Sequence, residues 1–586
     1  MAPILWLDQA VRYRLASGTR CPATPLDVTA GHGDGDPIVD IDLGHPVLDA
    51  GFLFLMRDLL QIALPPRSPE DWIERFFDPP TPGELSEALA PYGEGLCLCH
   101  GETPMFQVRP SAERLAEVAK PAKRKKVAPP DKGEEEEDAP GELPISALLP
   151  DPPTPDAVRN DADFFVKRAG ITAIGAGAVA PALYAHMILF PPAAGGYFGL
   201  PHGADSIKYA LLGRTLWETL WLNVLIPSQH PEFQPTAGRP AAAAEVFPWL
   251  DRTLSLMPLG RADAGADRPV RRVAFHPAGI PMTRRYLLSA PETGRCDLTG
   301  LPGPVFRAFR RWPKGLRYEP ADWWYPAVSS IKTSDSPPGQ GMRFVRAQGP
   351  LRFDDWLETA LFLEGDESQK KRLPLALAQW GRFADRFADA LEERETPDGG
   401  ATALSADFPF RVRAFAQYPF GKAIGGFSVR ELPVWRVTHG AAARLPAEMG
   451  AIIATLGKAA DCLAAAVRAA AKLGRKEGSF SIVGELRNSF LANLDTRVME
   501  LPGRLARAFL DPDEAARIRV ARELRAALFS SAYSLALELF DNAFPLGGGA
   551  IDTGIAPQRS RLLQSLRAVL LSQVPPKSGK KGKGAP

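Results

Sequence analysis

Near residue 445 the chain changes its grammar, and that change limits the folds open to it. From Phe247 to Trp435, short β-like runs (RRVAF, RRYLLSA, GMRFVRA, FRVRAFA, FSVREL) are separated by dense turn residues, including SDSPPGQG at Ser334–Gly341. Each proline fixes φ and removes a backbone donor, so a chain with 58 of them favours hairpins and extended connections here over long helices. Beyond residue 445, helical periodicity carries through Pro446–Leu473, Ile482–Val498, Pro512–Phe540 and Pro557–Val574. Four helices of those lengths predict an antiparallel bundle. In the third, Ile518, Leu524, Leu528, Leu535 and Leu539 form an apolar stripe flanked by Arg517, Arg519, Arg522 and Arg525, and Asp511–Pro512 reads as cap and first turn. The expected fold class is α+β. It comprises a large mixed domain over 1–440, a four-helix bundle over 445–574, and a disordered basic tail over 575–586.

The N-terminal part mixes short strands with helices. Ile4–Asp8 (ILWLD) reads as a first strand, and Phe52–Leu64 as an amphipathic helix presenting Phe52, Leu55, Met56, Leu59 and Leu60. Ser68 and Thr81 are each followed by proline and read as helix caps. Between about 120 and 143, KPAKRKK is followed closely by EEEED amid Pro and Gly, the composition of a solvated, self-neutralised linker. The acidic run screens Lys123–Lys126, so a basic nucleic-acid arm is the weaker reading.

At 586 residues the chain exceeds one ordinary core, and two or three domains are expected. A formal net charge of +1 excludes a uniformly basic coat and leaves open a local patch. Five cysteines supply no disulfide framework and suit a reducing cytoplasm. MAPILWLDQAVRYRL reads as neither signal peptide nor anchor. The apolar stretch Ala173–Leu189 is rich in Ala and Gly, contains Pro181, and reads as a buried core helix.

Motifs for catalysis are lacking. GKAIGG at Gly421–Gly426 lacks phosphate-loop spacing, and neither H-E-x-x-H nor G-x-S-x-G occurs. Cys97, Cys99 and His100 (CLCH) have an unusual spacing for structural zinc and read as a buried strand with incidental thiols. Cys296 in GRCDLTG stands alone in a turn, and His186 and His276 have no spaced partner. No metal or cofactor is expected. Triads are spatial, however, so an enzyme with a dispersed site stays open.

The densest information lies between Asn160 and Leu225. NDADFFVKRAG is followed by an apolar helix, a glycine-rich loop (PPAAGGYFGLPHGAD), and LGRTLWETLWLNVL, with Lys208 and Arg214 assigned to a second helix. Glycine lets backbone approach a ligand closely. These segments resemble the CasA family, the large subunit of the type I-E CRISPR surveillance complex Cascade. The resemblance spans most of the chain and is densest over Asp58–Gln107 and Asn160–Leu225.

The resemblance implies a non-catalytic DNA-recognition subunit. Gly195 and Gly196 would meet the protospacer-adjacent motif (PAM) from the minor groove. Trp323–Gly339 looks like a family segment leading into a basic hairpin, with Tyr325 in place of the usual histidine and Lys332 as the nearest cation. The hairpin Tyr418–Leu432 matches one that wedges the last PAM pair, which assigns Phe420, Gly421 and Lys422 to the tip. Asn160, Phe164, Phe165 and Lys167 would anchor the subunit near the guide RNA's 5′ end. Arg517, Arg522, Arg525 and Arg567 would face displaced DNA, or else pair with Glu514, Glu523 and Glu538. The implied partners are the backbone, small and 5′-handle-capping Cascade subunits, crRNA, target double-stranded DNA and a helicase–nuclease; no membrane is implied. Apart from the resemblance, two readings stay open: a cytosolic enzyme, and a protein-only scaffold.

Overall fold

The computed structural model describes residues 3–32, 35–99, 101, 103–111, 142–150, 170–190, 203, 205–230, 242–251, 280–312, 315–316, 327–332, 342–347, 349–361, 371–395, 407–420, 423–435, 444–473, 479–545 and 554–571. The linker expected near 120–143 lies almost wholly outside them, as do the tail 575–586, RRVAF, His100, His276 and Tyr325. The chain divides into two compact units. One comprises Met1–Pro350, Glu364–Gly400 and Pro409–Leu432; the other comprises Leu351–Leu363, Ala401–Phe408 and Pro433–Pro586.

In the first unit, Val11–Leu15 (β1), Arg20–Ala23 (β2) and Ile38–Ile41 (β3) form an antiparallel sheet in the order β2-β1-β3. Alternation along VRYRL buries Val11 and Tyr13 and turns Arg12 and Arg14 to the other face, where they pair with Asp42 and Asp40 at 2.9 Å. The expected first strand is different: Trp6–Asp8 is a short 3-10 turn, and Leu5 makes an isolated bridge to Cys97. Trp6 explains the departure. Its ring is fully buried and its Nε1 donates to Gly177 O at 3.0 Å.

That carbonyl is free for a reason. Gly177 lies four residues before Pro181 in the helix Ala176–Ile188, and proline has no N–H to offer it. Pro46–Ala63 (α1), Pro69–Phe77 (α2) and Pro82–Leu89 (α3) precede that helix, which is α4. Ser68 and Thr81 cap α2 and α3 as expected, each side-chain oxygen accepting from the third backbone N–H beyond it. Helix α1 starts six residues earlier than its periodicity suggested and is not amphipathic, since Phe52 through Ile62 are all buried. Its polar residues are satisfied internally. Gln61 exchanges two hydrogen bonds with the Leu225 backbone, at 2.6 and 2.9 Å. Asp58 accepts from both Arg57 and the Tyr184 hydroxyl.

Lys208–Leu212 (β4) is a buried strand, and Leu216–Leu222 (α5) follows it, capped by Thr215. This corrects the expected second helix: Lys208 is in the strand and Arg214 in the turn before α5. Arg285–Leu288 (β5), Glu292–Arg295 (β6), Pro302–Phe306 (β7) and Ala308–Trp312 (β8) build two further small sheets. Ser330–Lys332 (β9) and Met342–Phe344 (β10) pair antiparallel, as does the long hairpin Asp407–Phe420 (β11) and Ala423–Trp435 (β12).

The second unit is helical. Phe353–Ala360 (α6) packs against Arg444–Leu473 (α7) and Ser479–Phe509 (α8); Glu514–Ala543 (α9) and Ile555–Leu566 (α10) complete the bundle. Helix α9 is capped by Asp513, whose side chain accepts from Ala515 N, rather than by Asp511. Its seam is also shifted. Ala521, Leu524, Leu528, Ala532, Ala536 and Phe540 are buried, whereas Ile518 is 47% exposed and Leu535 and Leu539 sit at the margin. Alanines admit a close helix approach that larger side chains would prevent. A reading that ranks leucine above alanine therefore finds the wrong edge of the stripe.

Candidate nucleic-acid interface

Strand β4 gathers the elements that the sequence had scattered. On one side it pairs with β11 in the register Arg411↔Leu212 through Phe415↔Lys208. On the other, Lys208 bridges Val328 and Ser206 bridges Arg346, with Tyr209 N donating to Ala327 O at 2.8 Å and Ile207 N to Val345 O at 3.0 Å. Ala327–Ser329 leads into β9, and Val345–Ala347 follows β10. A single strand thus carries the roots of both candidate hairpins, and the chain reaches it directly from the glycine-rich segment. Lys332 is the last residue of β9 and pairs with Met342. Phe420 is the last residue of β11. Gly195, Gly196, Gly421, Lys422, Asn160, Phe164, Phe165 and Lys167 lie outside the described residues.

Lys208 is not a surface cation. It is fully buried, and its Nζ donates to Ser206 O and Ser206 Oγ at 3.0 Å and to Gly203 O at 3.4 Å. Burial lowers its pKa to about 7, with Asp205 and Arg346 pulling in opposite directions. The amine ties the turn that enters β4, where Gly203 takes a φ of +77° favoured by glycine.

Alternation in FRVRAFA puts Phe410, Val412 and Ala414 inside and Arg411 and Arg413 on the opposite face. Arg413 reaches Glu431 of β12 at 2.7 Å and Asp40 of β3 at 3.4 Å. Burial alone would weaken the charge on this guanidinium; Asp40 and Glu431 more than restore it. The period-2 pattern was visible in the sequence, but not the partner 373 positions away.

In the bundle unit the four candidate arginines differ. Arg525 of α9 pairs with Glu448 of α7, its Nε at 2.7 Å, and Arg517 donates to Asp511 O at 3.0 Å. Glu514 pairs with Arg444 rather than with a neighbour on its own helix. Arg522 and Arg567 are exposed, and neither side chain has a hydrogen bond or ion pair among the described residues.

Chemistry that would point elsewhere is weak. Cys97 and Cys99 are half-buried around the buried Leu98, in a bridge and turn rather than a strand, and burial with the neighbouring Cys97 pushes the Cys99 thiol up to about 11. His186 is a buried structural imidazole, 2.6 Å from the Tyr286 hydroxyl, held neutral by burial and the cations Arg284 and Arg311. Among the described residues, no three His, Cys, Asp or Glu side chains are grouped to hold a metal.

The fold is shared with solved structures of low identity. Cse1 from Acidimicrobium ferrooxidans matches with a TM-score of 0.59 at 16% identity, covering 98% of this chain and 100% of that one. CasA from Thermus thermophilus gives 0.58 at 16%, covering 97% and 100%. A chain of a structure titled CRISPR RNA-guided surveillance complex gives 0.56 at 14%, covering 97% and 100%. A search of the curated proteins finds no match. The family model described as CRISPR-associated protein Cse1 matches residues 9–537 of the 586. The chain therefore belongs to the CRISPR-associated protein Cse1 family, the CasA family that its motifs resemble.

Proposed function

We propose that the chain is the large, non-catalytic subunit of a type I-E CRISPR surveillance complex. It recognises the PAM in double-stranded DNA from the minor groove and starts strand separation, so that crRNA pairs with the target strand. The observation that supports this reading is the meeting on β4 of the roots of the β9–β10 hairpin and the β11–β12 hairpin. A common platform holds the roots of two hairpins that, on this reading, act on one or two base pairs. Gly195 and Gly196 approach the groove, Lys332 and Lys422 supply charge, and Phe420 with Gly421 forms the apolar wedge. Asn160, Phe164, Phe165 and Lys167 anchor the subunit near the 5′ end of the guide.

In the bundle, the pairing of Arg525 with Glu448 leaves Arg522 and Arg567 as the residues best suited to displaced DNA, with Arg517 a further candidate. The subunit assembles with the backbone, small and 5′-handle-capping subunits and helps present the complex to a helicase–nuclease.

The test is duplex binding by the guide-loaded complex, with and without this subunit, across a PAM library. Lys332→Ala and Lys422→Ala are each expected to weaken binding and to lower the salt dependence by about one ion. Gly196→Leu is expected to abolish discrimination between PAM sequences. Wild-type binding by all three variants would remove these residues from the interface, and turnover of a small substrate by the purified chain would favour an enzyme.

A further inference from the structure

Among the described residues, the neighbouring strand anchors the β11–β12 hairpin along only part of its length. Strand β4 supports β11 from Arg411 to Phe415. Beyond Phe415, β11 runs on to Phe420 with β12 as its neighbour in the sheet order. A two-stranded ribbon is marginally stable on its own and twists easily, so its direction is set where it is rooted. Five residues of strand project roughly 17 Å, and 10° of slack at the root moves the tip by roughly 3 Å, about one base-pair step.

At that root sits a chain of alternating charges drawn from two sheets. Arg14 of β1 contacts Asp40 of β3 at 2.9 Å, and Arg413 of β11 contacts the same Asp40 at 3.4 Å. Arg413 also contacts Glu431 of β12 at 2.7 Å, and Glu431 takes Arg411 at 3.2 Å. Arg413 is the pivot. Its side chain is 16% exposed, and it reaches both the N-terminal sheet and the opposite strand of the hairpin. A planar guanidinium held by two carboxylates restrains orientation as well as distance.

We propose that Arg413, clamped between Asp40 and Glu431, is a positioning residue that aims the hairpin's two-stranded outer half, and through it the wedge. This rests on the reading above that the hairpin opens the duplex. Arg413 itself need not touch DNA.

The experiment uses the complete guide-loaded complex carrying Arg413→Met, Arg413→Lys, Asp40→Asn or Phe420→Ala. Opening is followed by 2-aminopurine fluorescence at the first target pair, on an intact duplex and on one already mismatched there. Hydrogen exchange over residues 416–432 is read in parallel. Arg413→Met and Asp40→Asn should slow opening of the intact duplex at least ten-fold, leave the mismatched target within two-fold, and raise exchange in the hairpin. Arg413→Lys should recover part of the rate.

Phe420→Ala should slow opening without loosening the root. Slow opening by Phe420→Ala with wild-type opening by Arg413→Met and Asp40→Asn overturns the clamp and spares the wedge. Wild-type opening by Phe420→Ala overturns the wedge, and the clamp with it. Should Arg413→Met fail to assemble, Asp40→Asn decides.

Discussion

Replacing Gly51 with alanine should destabilise the first unit, although the same change in an exposed helix stabilises it. Helices α1 and α4 cross at Gly51. A Cβ there would lie 2.3 Å from Pro181 O, 3.0 Å from Ala185 Cβ and 3.1 Å from Pro181 C. The nearest obstacle is backbone, so relief requires α4 to shift, and every residue of α4 is buried. Overpacking of this kind costs about 3 kcal/mol or more, against which alanine's helix propensity returns about 1 kcal/mol. The net loss is about 2–3 kcal/mol.

Gly381→Ala is the control. It lies exposed in the Leu375–Glu395 helix with nothing within 4 Å of the added carbon, and should gain about 1 kcal/mol. Urea titration followed by tryptophan emission reads this unit, whose Trp6, Trp72, Trp217, Trp221, Trp249, Trp312 and Trp380 are all buried. A Gly51→Ala midpoint at or above that of the parent would refute the close crossing and the buried packing of α4 built on it.

Two further outcomes follow from groups the sequence could not locate. Lys208 has a folded pKa of about 7, below the unfolded lysine value, so the unfolded chain binds more protons between the two. Stability should therefore rise as pH increases, by about 2 kcal/mol from pH 7 to pH 9, and Lys208→Met should remove that slope in denaturant titrations across the range. In the bundle, Arg525→Ala strands the half-buried Glu448 and should cost about 1–2 kcal/mol in the helical transition, with Arg525→Glu/Glu448→Arg recovering part of it. Arg522→Ala should stay within about 0.5 kcal/mol in the same calorimetric scan.

What was legible depended on how local the deciding interaction is. Ser68 and Thr81 were identified as caps because the acceptor and the orphan N–H lie three residues apart. The long helices beyond residue 445 and the β11–β12 strands follow from period alone, whereas the 21-residue helix Leu375–Glu395 falls in the proline-rich stretch where hairpins rather than long helices are expected. Helix α1 was misread because a central helix buries even Arg57, Asp58 and Gln61, and the partners Tyr184 and Leu225 are more than a hundred positions away. Lys208 was misassigned for the same reason. KYALL is compatible with either period, and what makes it a strand is pairing with Arg411–Phe415 and with Ala327–Val328. The two candidate hairpins are legible one by one, whereas the meeting of their roots on β4 is a property of the fold alone.

On the proposed function, the location of charge among the described residues suits a reader rather than a holder of DNA. A sequence count gives +1, yet Arg57, Lys208, Arg284 and Arg285 are no more than 2% exposed and contribute little to an outward field. Arg413 and Arg525 are committed to carboxylates. Among the described residues, these cations are thus not available to a polyanion at the surface. A strongly basic subunit would grip any duplex through counterion release and would leave the target search slowly. One that keeps few free cations gains little from random DNA. On the proposed function it depends instead on fitted backbone and a correctly aimed hairpin at a short motif, with base pairing to a guide supplying the rest of the specificity. The clamp proposed for Arg413 fits that arrangement: where electrostatic grip is weak, a wedge needs its direction built into the fold.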